Sequence, residues 1–435
     1  MTLHPATLML RTWLTCIALF LILPFQLLER TVLISGYVVL VLLIAGFITG
    51  SFLASPVIKE ISAVPKISID LRLVDKIIVP VTIIAIGLLL IDLAQQGFLD
   101  LSSSFIERND RATALLTGSD VGGSVYFQIG FLLFPASYAY VVRIIAFEQR
   151  ISLWKLALFG FFPPVLTSLT TGGRGSLLYA LIIALLALQA RKRMVNRSPG
   201  LVQRSRRWNP LPIVLMVIVG LISLNYFVQV FVVRVEGFGG IENAMDHAAR
   251  AWGVSFEGDR AVLMRKTLGD GNTYLIFVFA WYIVQGLVIS NEIFSFYSGP
   301  PAFGIYGIDL ITAVIRRVDG DIVANRLFGL FDLNIYGFLP SAFGSLFVDL
   351  RYWAFPMVIL WGYLAGMVYK LTKISANPRW FLAAPFVTGG IIFSLLNTPL
   401  GFNNGLMTHL WLIVALLASR TARDKGATLN NRATA

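Results

Sequence analysis

Apolar residues in this chain gather into separate runs, divided by polar connections. Each run holds about 17–24 residues, which as a helix crosses a hydrocarbon core of roughly 30 Å. Helices are expected there because lipid offers the backbone no hydrogen-bond partner. The pattern predicts an all-α, polytopic membrane protein whose ten spans lie at residues 12–28, 32–54, 76–97, 123–146, 153–170, 175–190, 211–232, 353–372, 381–398 and 404–420.

The charged residues orient these spans. They make up only 13% of the 435 residues and are mostly basic, giving a net charge of +12. Cytoplasmic loops of membrane proteins collect Lys and Arg. Seven basic residues crowd the connection after the sixth run: Arg191, Lys192, Arg193, Arg197, Arg204, Arg206 and Arg207. This asymmetry predicts that both chain ends are cytoplasmic, and it argues against a nucleic-acid partner.

Two connections on the opposite, outer side carry charges of mixed sign, and we expect the functional site there. They are residues 98–122 and 233–352. The second contains a further apolar stretch at 273–291, and a single crossing there would invert every later loop. A re-entrant or interface-lying helix is therefore favoured, although one more span with a misassigned neighbour stays open. Residues 1–424 form a single membrane domain in this interpretation, followed by a polar cytoplasmic tail at 425–435.

The motifs of common soluble enzymes are missing. The sequence has no Walker A loop, no Rossmann glycine fingerprint and no His-Glu-x-x-His. Its histidines are His4, His247 and His409, and Cys16 is its one cysteine. A histidine-based metal site is therefore not expected, an intrachain disulfide is excluded, and no cofactor is predicted.

Arginine is the residue type that points to chemistry on the outer side. Its planar guanidinium group grips phosphate oxygens with two bonds and stays charged at any working pH. Arg174 stands out, because it lies between glycines in a tight turn at 170–176 where a ligand can approach the backbone. The arginines considered for phosphate binding are Arg108, Arg111, Arg174, Arg234, Arg260 and Arg326. The alternative for each is a solvated or snorkelling charge.

A second group of polar residues precedes the span at 353–372. Asp332, Asn334 and Tyr336 lie beside glycine and aromatic residues, a pattern that fits a sugar-contacting rim; a capped turn is the alternative. Tyr282 and Gln285, in the apolar stretch 273–291, are expected to flank this rim. Asp332 and His247 are candidates for the general base, together with Glu236, Glu257, Asp259 and Asp349.

The chain resembles the bacterial O-antigen polymerases, a family related to the O-antigen ligases. The likeness rests on the Thr-Gly-Gly-Arg-Gly turn at 171–175, the loop with Arg108 and Arg111, the long outer loop and the pair Tyr282-x-x-Gln285 and Asn334-Ile335-Tyr336. Gly337 departs from the pattern, in which a threonine often follows the tyrosine.

The resemblance implies transfer of a glycan from undecaprenyl pyrophosphate to the non-reducing end of another lipid-linked repeat unit, on the periplasmic face of a bacterial inner membrane. Pyrophosphate would be held by arginines, with Arg174, Arg234, Asp332 and His247 in catalytic roles. Implied partners are membrane lipid and the chain-length regulator and flippase of the same pathway. Two alternatives stay open: a ligase acting on the lipid A core, and a polysaccharide transporter without enzymatic activity.

Overall fold

The computed structural model describes residues 3–54, 67–95, 124–171, 175–197, 235–374 and 377–423, with three single positions between 225 and 232. The described chain is mostly helical, as predicted. Its helices are α1 Pro5–Ile22, α2 Ile34–Leu53, α3 Arg72–Gln95, α4 Val125–Leu133, α5 Ala136–Phe147, α6 Leu153–Thr171, α7 Gly175–Arg197, α8 Ile241–Trp252, α9 Asp259–Leu268, α10 Asp270–Phe296, α11 Asp309–Val318, α12 Gly320–Asp332, α13 Ser341–Leu350, α14 Ala354–Ile374, α15 Trp380–Ile392 and α16 Gly405–Ala418.

Two short antiparallel sheets were not predicted. Strand β1 (Phe25–Leu27) pairs with β3 (Val254–Phe256), with Gln26 opposite Ser255. Strand β2 (Ile67–Asp70) pairs with β4 (Arg420–Arg423). Each sheet pairs two segments that are far apart in sequence, so its backbone hydrogen bonds hold two inter-helix segments side by side.

The described residues contain eight helices long and apolar enough to cross a membrane, and two shorter apolar helices at Trp380–Leu395 and Gly405–Ala418. The chain is thus a helical, multi-pass membrane protein. Nine of the ten predicted spans overlap helices, although the first, 12–28, is displaced: α1 covers Pro5–Ile22, and Phe25–Leu27 form β1. The tenth, 211–232, lies almost wholly outside the described residues, as do the predicted loop 98–122 and the tail 425–435. One of the eight long helices is α10, which contains the apolar stretch 273–291 that was not counted as a span.

Helices α2 and α14 run side by side at very close range, through small residues. A Cβ atom built on Gly50 would lie 2.0 Å from the Ile359 carbonyl oxygen, and one on Gly362 would lie 2.1 Å from that of Phe47. Only glycine permits this approach. Packing through small residues is how helices associate in lipid, where the hydrophobic effect between helices is lost.

The predicted span 123–146 is broken in the middle. Helix α4 ends at Leu133, and α5 begins after Pro135, whose ring removes a backbone donor from the helix. Helix α6 contains a π-helical turn at Leu156–Phe161, one residue before the consecutive prolines Pro163 and Pro164. Such turns accommodate lost backbone hydrogen bonds and occur often at functional positions.

The bundle has two distinct ends. At one, His4 stacks on Phe52 with ring centroids 4.6 Å apart and meets Tyr369 edge-on, so α1 begins where α2 and α14 end. We call this the terminal end. The opposite end, which we call the loop end, is formed by residues 23–33, 235–268, 297–340 and 396–404.

Helix α10 contains the apolar stretch 273–291, and both of its halves contact the loop end. Near its start, the ring of Phe277 lies 6.1 Å from that of Phe25 in β1. In its middle, the Ile283 carbonyl accepts from Cys16 Sγ at 3.6 Å. Near its end, Asn291 bonds Leu33, directly before α2. This unbroken helix of 27 residues therefore crosses the second half of α1 near its own middle and ends beside the residues that precede α2.

We expect the two ends to face opposite sides of the membrane. In a Cys16→Ser background, Asn325→Cys at the loop end should react with a membrane-impermeant maleimide added on the outer side of the membrane. Gln149→Cys, an exposed position at the terminal end, should react only after that membrane is permeabilised. Labelling of both from the same side would contradict the predicted orientation. The parent chain is the control, because Cys16 is buried.

Candidate functional site

A buried guanidinium group, that of Arg30, joins four segments at the loop end. Its Nη1 lies 3.1 Å from Glu292 Oε2, and both side chains are less than 10% exposed. Its Nε donates to the Trp252 carbonyl at 2.9 Å, and its Nη2 donates to the Asn334 carbonyl at 3.2 Å. The group also lies 4.6 Å from the centre of the Phe338 ring. Every nitrogen of the group thus has a protein partner.

Glu292 and its neighbour Asn291 also bond the backbone groups that directly precede α2. Glu292 Oε1 accepts from the backbone N–H of Thr31 at 2.9 Å. The Asn291 side chain bonds both the N–H and the carbonyl of Leu33, each at 2.8 Å. Buried backbone groups need such partners because no water reaches them. Gly36 allows this close approach, since a Cβ there would lie 2.6 Å from the Asn291 carbonyl oxygen.

The predicted sugar-contacting loop is held in place by Arg30. Asn334 has a positive φ of 49° and an exposed side chain, while its carbonyl accepts from Arg30. Tyr336 stacks on Phe331 with ring centroids 4.3 Å apart. Asp332 is exposed beside them. The loop thus presents an amide, a carboxylate and an aromatic pair on a fixed backbone.

The Gln285 side chain bonds the backbone that follows this loop, whereas the Tyr282 side chain does not. Gln285 is buried, and its Oε1 accepts from the Leu339 N–H at 3.3 Å. Its Nε2 lies 3.5 Å from the Tyr282 carbonyl. Tyr282 is an exposed side chain on α10. We therefore assign Gln285 to positioning the backbone that follows the loop, and its direct contact with a sugar stays a prediction.

Asp349 fixes the segment that precedes α11. Its two oxygens accept from the backbone N–H groups of Tyr306 at 3.0 Å and Gly307 at 2.8 Å. A Cβ on Gly307 would lie 2.5 Å from Asp349 Oδ2, so the contact requires glycine. With both oxygens accepting from the backbone, Asp349 serves as an anchor, and its candidacy as general base is weakened.

A polar network lies at the start of α7, in the described part of the predicted 170–176 turn. There Ser176 Oγ donates to Asn403 Oδ1 at 2.8 Å. Asn403 Nδ2 donates to the Tyr138 hydroxyl at 2.7 Å, which donates to the Ser176 carbonyl at 3.1 Å. The connection 396–404 also reaches the segment before α11, because Thr398 Oγ1 donates to the Gly307 carbonyl at 3.3 Å. The network thus connects the start of α7 to the segment before α11.

Backbone strain accumulates in this part of the molecule. In the described chain, the non-glycine residues with positive φ are Phe303, Asn334, Ser341, Arg351, Asn403 and Asn404. All belong to the loop-end segments or to the helix α13 and its ends. Such conformations cost roughly 1–3 kcal/mol each and persist where the surroundings enforce them, which is common at functional sites.

Two of the predicted phosphate-binding arginines bond to backbone carbonyls. Arg260 Nη1 donates to the Ile22 carbonyl at 3.0 Å and so caps the end of α1. Arg326 Nη1 donates to the Pro301 carbonyl at 3.2 Å, and its guanidinium lies 5.6 Å from the Phe303 ring centre. These two arginines bond to different segments. Each guanidinium group keeps N–H donors that could bind a ligand, but these contacts do not bring the two guanidinium groups together.

The remaining predicted residues fall into two sets. His247 is exposed on α8 and stacks on Phe238 with ring centroids 4.3 Å apart. Arg108, Arg111, Arg174 and Arg234 lie outside the described residues. Among the described residues, no three His, Cys, Asp or Glu side chains are grouped as metal ligands.

Several site residues were missed from the sequence, although some carried a signal. Glu292 is an acid within an apolar run, next to Ser290 and Asn291, and an ionisable group at that place suggests a buried partner. Arg30 is the cation in the short connection between the first two spans. Asn403 and Asn404 had only the weak signal that asparagine tolerates positive φ. Their contacts with Ser176 and Phe131 could not be read from spacing.

No family model, curated protein or solved structure matches the chain.

The Arg30–Glu292 pair should be critical for stability. Arg30→Ala or Glu292→Ala leaves one buried charge without its partner, which typically costs about 3–5 kcal/mol. Each variant should lower the thermal unfolding midpoint in detergent. The double variant Arg30→Ala/Glu292→Ala should be less destabilised than the sum of the two single changes. Lys266→Ala, which removes an exposed cation, is the matched control and should shift stability by no more than about 0.5 kcal/mol.

An unchanged unfolding midpoint in both single variants would show that the pair does not hold the loop end together. An additive double variant would show that the two side chains act independently.

Proposed function

We propose that this chain is a membrane-embedded glycan polymerase of the bacterial inner membrane. It transfers a glycan from undecaprenyl pyrophosphate to the non-reducing end of another lipid-linked repeat unit, at the periplasmic face. The loop end is the proposed site, and the products are a longer lipid-linked glycan and free undecaprenyl pyrophosphate.

One observation carries this proposal. Ser176, two residues after Arg174 in the sequence, bonds Asn403 in the connection 396–404, and the same connection bonds Gly307. Gly307 in turn bonds Asp349 near the end of α13, the helix that begins directly after the 331–340 segment. The described residue closest in sequence to the candidate phosphate-binding motif at its C-terminal side is thus linked by direct contacts to polar loops at one end of the bundle, where a lipid-linked substrate would present its headgroup.

The chemistry needs a stabilised leaving group. Negative charge gathers on the departing pyrophosphate, and preorganised cations aimed at that charge lower the barrier most effectively where water is excluded. Arg174 and Arg234 are proposed for this role, with Arg108, Arg111, Arg260 and Arg326 assisting in binding. Arginine suits pyrophosphate because its fork bonds two oxygens at once.

The acceptor glycan would bind along the 331–337 loop. Asn334 offers an exposed amide, Asp332 an exposed carboxylate, and the stacked pair Phe331 and Tyr336 an aromatic surface. Sugars bind proteins through such hydrogen bonds together with packing of their apolar faces on rings. The bond from Arg30 to the Asn334 carbonyl holds this loop relative to α2 and α10.

We propose that residues 273–291 lie obliquely at the membrane interface and do not cross. Helix α10 is long and apolar enough to cross, but both of its halves meet loop-end segments. Because its 27 residues form one unbroken helix, it cannot dip into the membrane and return, whereas an oblique helix that stays at one face keeps all later loops on the sides predicted from their charges. It would also line a depression in the membrane surface through which the isoprenoid carrier reaches the site. Membrane lipid, a flippase and a chain-length regulator are the proposed partners.

Arg174 provides the direct test. In cells whose own copy is deleted, Arg174→Ala should reduce long polysaccharide to single repeat units on a gel. Arg174→Lys should rescue little, because an ammonium group cannot grip two phosphate oxygens in a plane. Lys266→Ala, an exposed cation, should leave the ladder unchanged when expression is matched.

Full-length ladders from a well-expressed Arg174→Ala variant would overturn this site assignment. In a lipopolysaccharide-producing host, the deletion separates the activities: loss of a polymerase leaves single-repeat caps on the core, whereas loss of a ligase leaves a bare core. Accumulation of repeat units on the cytoplasmic face would indicate a transporter.

A further inference from the structure

Helix α11 lies on the surface of the loop end, and protein covers only part of its apolar surface. Each of its ten residues is at least partly exposed. Ile311 and Ile315 pack against the cluster of buried apolar residues that α10, α12 and α13 form. Val314 and Val318, in contrast, are 55% and 82% exposed. The helix therefore presents apolar side chains that the described protein leaves largely uncovered.

These exposed side chains form a continuous stripe along the helix. Leu310, Val314 and Val318 are four residues apart, so they follow one side of it. Arg316 and Arg317 occupy the last turn, and Arg317 borders the stripe. An apolar stripe bordered by basic residues is typical of a helix that lies in the membrane interface, where the arginine heads extend to the level of the lipid phosphates.

Contacts with α13 place the start of α11 at the edge of the membrane. The two oxygens of Asp349 accept from the backbone N–H groups of Tyr306 and Gly307, just before α11. A few residues after Asp349, Tyr352 and Trp353 are 75% and 74% exposed, and α14 begins directly after them. Tyrosine and tryptophan concentrate where a spanning helix enters the interface. The start of α11 thus lies at the depth where the chain enters lipid.

The acidic residues near α11 do not border the stripe. Asp309 begins the helix on its polar side, away from Val314 and Val318. Asp319 follows the helix, and its side chain accepts from the Asp321 N–H at 3.0 Å, which caps the start of α12. The charge next to the apolar stripe is therefore positive, which complements the phosphate of a lipid headgroup.

We propose that α11 docks on the membrane leaflet at the loop end and binds anionic phospholipids there. Leu310, Val314 and Val318 insert just below the headgroups, and Arg316 and Arg317 bind the lipid phosphates. The docked helix holds the loop end against the membrane surface. This inference does not depend on the function proposed above, and its test uses no glycan substrate.

The test measures which quencher reaches the stripe. In the Cys16→Ser background, the purified full chain carries a bimane fluorophore at Val318→Cys or Val314→Cys and is placed in nanodiscs. A nitroxide near the top of the lipid acyl chain should quench both labels strongly, whereas iodide in the buffer should quench them weakly. Ala313→Cys, an exposed position on the polar side of the same helix, is the matched control and should show the opposite order.

The role of the two arginines is tested with the nitroxide carried either on phosphatidylglycerol or on phosphatidylcholine, at the same fraction of the lipid. The anionic carrier should quench the Val318→Cys label more strongly, because basic residues at the membrane surface attract anionic lipid. Arg316→Gln/Arg317→Gln should remove this preference. Arg150→Gln, which changes an exposed arginine at the terminal end, is the control and should keep it.

Three results would overturn the proposal. Quenching of the Val318→Cys and Val314→Cys labels by iodide and not by lipid would place the stripe in water. Protection of both labels from both quenchers would show that a second copy of the chain or another segment covers it. Equal quenching by the two carriers, with both arginines present, would refute the assignment of anionic lipid.

Discussion

The Arg30 guanidinium group is the contact on which the arrangement of the loop end depends. Burying a charge is costly unless it is paired and fully hydrogen-bonded. Here each nitrogen has a partner: Glu292, the Trp252 carbonyl and the Asn334 carbonyl. The pair is therefore best understood as a fixation point, because its geometry permits one relative placement of four segments that are distant in sequence.

This fixation explains how polar loops can be ordered at the edge of a lipid-embedded bundle. Lipid offers no hydrogen bonds, so irregular backbone must find partners within the protein. Side chains supply them: Asn291 serves the start of α2, Asp349 serves the segment before α11, and Ser176 and Tyr138 serve the turn at Asn403. The same bonds hold the strained residues and leave the Asn334 side chain exposed to solvent.

The sequence predicted the helical membrane class and nine of its helices, because long apolar runs have one stable solution in lipid. It did not predict the contacts between polar residues of different loops. The Arg30–Glu292 pair spans 262 positions, and no local periodicity reports such a partner. Arg260 and Arg326 are further examples. Both were predicted to bind phosphate, and their contacts with the backbone carbonyls of Ile22 and Pro301 cannot be inferred from the sequence. The apolar pattern determines helices, whereas the site depends on long-range polar pairing.

The most direct measurement is a cryo-electron microscopy structure of the chain with an undecaprenyl-pyrophosphate-linked oligosaccharide. We expect the diphosphate at the loop end, within about 4 Å of the Arg174 guanidinium group, with the sugars along the 331–337 loop. A diphosphate bound at the terminal end, or arginines that point apart with no cavity leading to the lipid, would contradict it.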